Sequence, residues 1–237
     1  MTRIVGFVPY SSVDWPGKLC ATIFLPGCNF RCGYCYNVDI VNDTEKMDIP
    51  LSHILRILKE YGKPWYDGVC ITGGEPTLCL DLHKLCQKIK KAGFKIKLDT
   101  NGTNPEMLSY LLSKELVDFI AMDFKAPIAE YEKVIGKQLS QEEIYSILKS
   151  RDIVFEAPEY EFRTTVIPGI HDKIDIAIIT GLHIIGAKNY AIQNFWNTGN
   201  HLDPKFNKVK PFTKEKLQEF KQVAEKNIKN VEVRSLV

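Results

Sequence analysis

The order in which two kinds of segment follow one another constrains this chain most. Short runs rich in β-branched and aromatic residues lie at Ala21 to Leu25, Val69 to Thr72, Lys95 to Asp99, Phe119 to Asp123, Phe162 to Val166 and Tyr190 to Asn194. Between them, apolar residues recur at spacings of three and four over Leu51 to Tyr61, Leu80 to Ala92, Pro105 to Ser113, Gln141 to Lys149 and Lys173 to Ile185. The first pattern predicts strands and the second helices. Ser140 with Glu143 reads as a capping box, and Gly93 follows a Lys-rich helix end. A further helix over Lys214 to Asn227 follows Thr213 as N-cap, and Val231 to Val233 reads as a terminal strand. Such alternation implies an α/β fold with a parallel sheet and helices outside it, doubly wound or barrel-like.

At 237 residues and 45% hydrophobic content the chain can bury a substantial core. Its 31 Lys and Arg against 29 Asp and Glu leave a formal charge of +2, which supplies no global field for nucleic acid or an acidic membrane. The longest apolar stretch, Ile174 to Ala187, is interrupted by Asp175 and His183 and falls short of the roughly 20 residues of a spanning helix. No membrane span and no signal sequence are expected, and the chain reads as cytoplasmic. The basic stretch Lys84, Lys88, Lys90, Lys91, Lys95 and Lys97 reads as a solvated face with cations near a helix C-terminus, and Lys205 to Lys216 reads the same way.

Seven cysteines cannot all pair within one chain, and in a reducing compartment thiol or metal chemistry is expected over disulfides. Cys20, Cys70, Cys79 and Cys86 are scattered among apolar residues. Cys28, Cys32 and Cys35, by contrast, form a C-x3-C-x2-C loop directly after the first expected strand. Three thiolates on one loop suit a 4Fe-4S cluster and leave one iron open. A structural zinc would need a fourth ligand, and His53 is the nearest histidine downstream. A simple ferredoxin would need a fourth cysteine.

With Tyr34 before the third cysteine, the loop resembles that of the radical SAM superfamily, in which the open iron is chelated by the amino and carboxylate groups of S-adenosylmethionine (SAM). Thr72-Gly73-Gly74-Glu75-Pro76, at the next strand end, resembles the superfamily's GGE motif. Its glycines would let the backbone approach a ligand, the plain alternative being a tight turn. Asp99-Thr100-Asn101-Gly102, Asp123, Lys125 and Arg163 gather at or near later strand ends, where barrels of this kind place binding groups. Asp123 and Lys125 share a face and could simply form an ion pair; Asp99 could cap the Asn101-Gly102 turn.

The resemblance implies a partial (β/α)6 TIM-like barrel of the radical SAM type with short N- and C-terminal extensions. Residues 1-237 would be a single domain, with its core at about 18-200 and a helical extension at about 201-237. It implies cluster ligation by Cys28, Cys32 and Cys35, with Tyr34 near the adenine and Gly73, Gly74 and Glu75 at the methionyl end. By likeness to the pyruvate formate-lyase activating enzyme, Asp99, Thr100 and Asp123 would support a monovalent cation beside the SAM carboxylate, with Lys125 and Arg163 near that carboxylate.

Ser12-Val13-Asp14-Trp15-Pro16-Gly17-Lys18 is similar to the signature of glycyl-radical-enzyme activating proteins. The chain is most like the longer form of the anaerobic ribonucleoside-triphosphate reductase activating protein, over about Ile4 to Asn200. Asp14 is the expected residue toward the substrate glycine loop. The implied reaction is reductive cleavage of SAM to methionine and a 5'-deoxyadenosyl radical, which takes a hydrogen from a glycine Cα of the partner, with electrons from flavodoxin or ferredoxin.

Trp15 and Lys18 depart from the common Gly and Arg, which suggests a substrate-facing loop with a different partner. Gln193 to Asn197 lacks a histidine that the pyruvate formate-lyase activator uses, and the last 37 residues match no motif. The alternatives are another small radical SAM enzyme, such as a 7-carboxy-7-deazaguanine synthase-like protein, or a non-catalytic Fe-S electron-transfer protein.

Overall fold

The computed structural model describes residues 2–235. Met1, Leu236 and Val237, the outermost residues of the expected 1-237 unit, lie outside the described residues. Among those described, eight strands form one sheet in chain order: β1 (Gly6–Ser11), β2 (Cys20–Leu25), β3 (Gly68–Gly73), β4 (Lys95–Thr100), β5 (Phe119–Asp123), β6 (Tyr160–Val166), β7 (Asn189–Asn194) and β8 (Asn230–Arg234). From β2 to β8 every pairing is parallel, and β1 adds antiparallel to β2. The first and last strands each have one neighbour, so the barrel stays open at its side.

The six expected strands are β2 to β7, and each extension adds one more. The C-terminal extension is therefore not simply helical. The helices are α1 (Val38–Val41), α2 (Leu51–Trp65), α3 (Leu82–Lys91), α4 (Pro105–Ser113), α5 (Tyr131–Ile135), α6 (Gln141–Phe155), α7 (Lys173–Ile178) and α8 (Lys214–Ala224). Ser140 and Glu143 form the reciprocal capping box of α6, and Thr213 caps α8.

Three differences from the sequence pattern have physical causes. Gly6 and Pro9 weaken the strand signal of β1, yet an edge strand tolerates both. Helices of four and five residues, α1 and α5, are too short to show periodicity. The helix expected to Ile185 stops at Ile178 and widens into a π turn over Ile179–His183. There the Thr180 hydroxyl donates to the Ile176 carbonyl at 2.8 Å and competes with the regular ladder.

Strand alternation divides the sheet into two faces. Ile23, Ile71, Leu98, Ile120, Phe162 and Ile192 belong to the main apolar core, packed with Leu85, Leu108 and Ile147 of the helices. The opposite face turns inward and carries polar residues toward the strand C-termini. Its other end is closed by Trp15, only 1% exposed, with Cys20, Cys70, Phe119 and Ala121. Gly68 makes room there, since a Cβ at that position would come within 2.6 Å of the indole. Lys18 lies over the Trp15 ring at 4.9 Å and pairs with Glu159. The expectation of a substrate-facing role for Trp15 and Lys18 is thus corrected: both belong to the barrel floor.

Candidate functional site

A cavity of about 500 Å3 opens at the C-terminal ends of the strands, within the usual range for small-molecule sites. Its lining brings together every residue singled out from the sequence: Asp14; Cys28, Cys32, Tyr34 and Cys35; Gly73, Gly74 and Glu75; Asp99 and Thr100; Asp123 and Lys125; and Arg163.

The cysteine loop leaves β2 and is held from several sides. Arg31 N–H donates to the Ile135 carbonyl at the end of α5, and Gly27 N–H to the Ile40 carbonyl, each at 2.8 Å. On the C-terminal side, Leu202 N–H donates to the Cys35 carbonyl and Asp203 N–H to that of Gly33, both at 2.9 Å. Phe206 packs so closely that a Cβ on Gly33 would lie 2.7 Å from its ring. Leu202, Asp203 and Phe206, from the C-terminal segment without a recognisable motif, therefore clamp this loop.

All three thiols are free. Burial pushes each of them up, and Lys125 acts in the opposite direction on all three. Among the described residues, no three His, Cys, Asp or Glu side chains are grouped to hold one metal ion. Three soft thiol donors around one cavity suit a multi-iron cluster, in which each cysteine binds a different iron.

The Gly73-Gly74-Glu75 turn is shaped first by the chain itself. A Cβ on Gly74 would sit 1.9 Å from the Gly27 carbonyl oxygen, and one on Gly73, at φ +123°, 2.3 Å from that of Leu25. The absent Cβ atoms let this turn press against the start of the cysteine loop, where Glu75 N–H donates to Gly27 at 2.8 Å. The Glu75 carboxylate is 1% exposed. It accepts from Thr77 N–H, the Thr77 hydroxyl and the Thr100 hydroxyl on one oxygen, and from Asn101 N–H on the other. It thus ties β3 to the exit of β4. The turn after β4 is capped by Thr100, whose hydroxyl accepts from Gly102 N–H at 3.1 Å, and not by Asp99.

Asp99 and Asp123 belong to an ion network. Arg163 Nη1 lies 3.3 Å from Asp99 Oδ2, and its Nε 2.8 Å from Asp123 Oδ1. Lys125 Nζ is 3.1 Å from Asp123 Oδ2, so the simple ion pair exists but as part of a larger array. Burial alone would raise the Asp123 carboxyl, but Arg163 and Lys125 hold it at about 2. Lys97, read from sequence as part of a solvated basic face, is instead buried, with Nζ 2.5 Å from Asp99 Oδ1.

Tyr34 packs edge-on to Phe206, whose cluster includes Ile167 and Phe195. Asp14 accepts from the Thr22 hydroxyl at 2.6 Å. The mouth also carries residues the sequence did not single out for the site. Tyr36 and Trp196 form an edge-to-face pair 5.6 Å apart, with both rings substantially exposed. Arg234 of β8 lines the cavity and grips Glu161 of β6 with two bonds at 3.0 and 2.7 Å. The strand pattern at Val231 to Val233 could have led to Arg234, since it lies two residues beyond Glu232 on the same face.

The model of the radical SAM superfamily matches residues 22–177, from β2 into α7. The chain belongs to the radical SAM superfamily. A "Putative glycyl-radical enzyme activating enzyme" of Methanocaldococcus jannaschii is 34% identical over 98% of this chain and 96% of its own length. A 7-carboxy-7-deazaguanine synthase of Thermoplasma acidophilum is also 34% identical, but over 45% of this chain and 47% of its own. The structure of Streptococcus suis SuiB bound to S-adenosylmethionine shares the fold with a TM-score of 0.63 at 15% identity, covering 90% of this chain; the chain spans about half, 52%, of that protein. This radical SAM enzyme is thus most like glycyl-radical enzyme activating enzymes, and its family implies a 4Fe-4S cluster and SAM. No helix among the described residues is long and apolar enough to cross a membrane.

Proposed function

We propose that this radical SAM enzyme is an activase that generates a glycyl radical on a partner enzyme, the anaerobic ribonucleotide reductase, and that residues 1–237 act as a single radical SAM domain. The observation that carries this reading is the convergence of three loop thiols and a cation-rich strand rim on one side-open cavity, in a chain similar end to end to a named activating enzyme. When bound, the cluster and SAM supply one-electron reductive cleavage and hydrogen-atom abstraction.

The chain's residues hold and orient these groups. Cys28, Cys32 and Cys35 would hold the cluster, with SAM bound beside it. Arg163 and Lys125 receive the SAM carboxylate, the first through a planar fork and the second as a point charge. Gly73 and Gly74 present backbone to the methionyl end, and Glu75 keeps their turn in place through its four accepted bonds. Tyr34 faces the adenine from an apolar wall. Asp14, held by Thr22, faces the incoming glycine loop, while Tyr36 and Trp196 shield the mouth from water.

The opening between β1 and β8 supports entry of a protein loop, and flavodoxin or ferredoxin is the proposed electron donor. The 7-carboxy-7-deazaguanine synthase alternative is less well supported, because similarity to two such synthases covers 45% and 56% of the chain, against 98% for the activating enzyme. Anaerobically reconstituted protein given SAM and dithionite is expected to form 5'-deoxyadenosine, and a Cys28→Ala, Cys32→Ala, Cys35→Ala variant is expected to form none. With anaerobic ribonucleotide reductase added, electron paramagnetic resonance should show a glycyl radical on that partner. SAM cleavage that leaves no radical on it would remove the proposed partner; no cleavage even with the partner present would remove the enzyme reading.

A further inference from the structure

The monovalent cation expected on Asp99, Thr100 and Asp123 does not fit the side chains that surround these residues. Lys97, two residues before Asp99 on the same inward face of β4, is 1% exposed and places its ammonium 2.5 Å from Asp99 Oδ1. Arg163 faces the other Asp99 oxygen at 3.3 Å and Asp123 Oδ1 at 2.8 Å, while Lys125 takes Asp123 Oδ2 at 3.1 Å. The Thr100 hydroxyl is engaged as well, donating to Glu75 and accepting from Gly102 N–H. Every side-chain oxygen of the three expected cation ligands already has a partner within the chain.

Charge balance leads to the same conclusion. Three cations, Lys97, Lys125 and Arg163, face two carboxylates. The other acidic groups nearby have partners outside this array: Glu75 accepts four hydrogen bonds, Asp14 accepts one from the Thr22 hydroxyl, and Glu161 is gripped by the Arg234 fork. Burial disfavours the Lys97 ammonium, but Asp99 and the Cys70 sulfur favour it, and the net direction is upward. Counted over these five side chains the array carries one positive charge in excess, which a single carboxylate neutralises. An alkali cation would add a second positive charge in surroundings of low polarity, where like charges repel strongly. Without Lys97 the array would be neutral, and an entering carboxylate would need a counter-ion.

We infer that the Lys97 ammonium takes the place of the monovalent cation, so that this chain binds the SAM carboxylate without an alkali-metal ion. The inference rests on the functional reading above. Lys97 is a positioning residue, acting on the ligand through Asp99 and the charge of the array.

The test is equilibrium dialysis of radiolabelled SAM against the cluster-reconstituted protein, in potassium chloride and in tetramethylammonium chloride at equal ionic strength. Wild type should bind SAM equally in both salts, within about twofold. Lys97→Met, close in shape but uncharged, should lose on the order of tenfold in affinity in tetramethylammonium and recover most of it in potassium, a pattern that a purely structural role would not produce. Thallium(I), added as a potassium substitute, should show a broadened 205Tl resonance with Lys97→Met and SAM but not with wild type.

A tenfold loss for wild type on removing potassium, or equal weakening of Lys97→Met in both salts, would overturn the inference. The wild-type comparison decides by itself should the variant not fold. Absence of SAM binding by wild type in both salts would instead overturn the functional reading, and the inference with it.

Discussion

The floor and the rim of the barrel are built from the same inward faces of the same strands, yet they are held together by different physics. At the floor, Trp15, Cys20, Cys70, Phe119 and Ala121 fill the space by shape. Among the described residues the buried Trp15 Nε1–H has no hydrogen-bond partner, so the indole is there for its bulk. At the rim, Asp99, Asp123, Lys125 and Arg163 are held by mutual charge around a cavity, with Lys97 buried behind Asp99. The floor can lose volume and keep its chemistry, whereas the rim can keep its volume and lose its chemistry. Buried charges persist in this barrel where each has an opposite partner.

The strongest way to break this contrast is at the rim. Cys28→Ala or Cys35→Ala should abolish reductive SAM cleavage and lower bound iron, measured by product chromatography and iron content, while the metal-free chain unfolds within about 0.5 kcal/mol of wild type. A large stability loss in the metal-free variant would show the loop to be part of the core after all.

At the floor the expected effects are reversed. Trp15→Ala should cost about 3–5 kcal/mol in denaturant unfolding, the range for emptying a large aromatic site, with SAM affinity of the folded fraction unchanged. Trp15→Phe should cost less, because it removes the unpartnered N–H together with part of the volume. A SAM affinity that fell in parallel with stability would mean that floor and rim are coupled.

Acid probes the rim without mutation. Asp123 titrates at about 2 in the folded chain, below its ordinary 3.8, so its stabilising contribution is present above about pH 4 and is lost as pH falls toward 2. That contribution is on the order of 2 kcal/mol. Urea unfolding between pH 2 and 5 should show it in wild type, and the slope should flatten in Asp123→Asn. The smallest effect should come from Ser140→Ala, remote from both ends: about 1 kcal/mol from the lost cap of α6, with SAM binding unchanged.

Much of this arrangement could be read in the sequence because its signals are local. The six core strands follow from β-rich runs, the α6 cap from Ser140 and Glu143, and the cysteine loop from its spacing. The same local view misled at Lys97. Lysines at 84, 88, 90, 91 and 95 describe a helix and its continuation, and Lys97 follows them in sequence although strand alternation sets it on the face of Asp99. Trp15 was misplaced because its neighbour Asp14 does reach the cavity, while Trp15 itself turns toward Gly68, more than fifty residues further along the chain.

By itself the sequence determined the alternation that makes a parallel sheet, the loop that presents three thiols, and the strand ends that carry Asp99, Asp123 and Arg163. These depend on spacing along the chain, which hydrogen-bond geometry converts directly into faces and ends. Only the tertiary structure decided which face of β4 turned inward, bringing Lys97 against Asp99. It also decided that Trp15 would seal the floor, and that Leu202, Asp203 and Arg234, from the segment without a motif, would close on the cysteine loop and the rim. Those contacts join residues far apart in the chain, and they form only when the strands curve into an incomplete barrel whose last neighbours are supplied by its two ends.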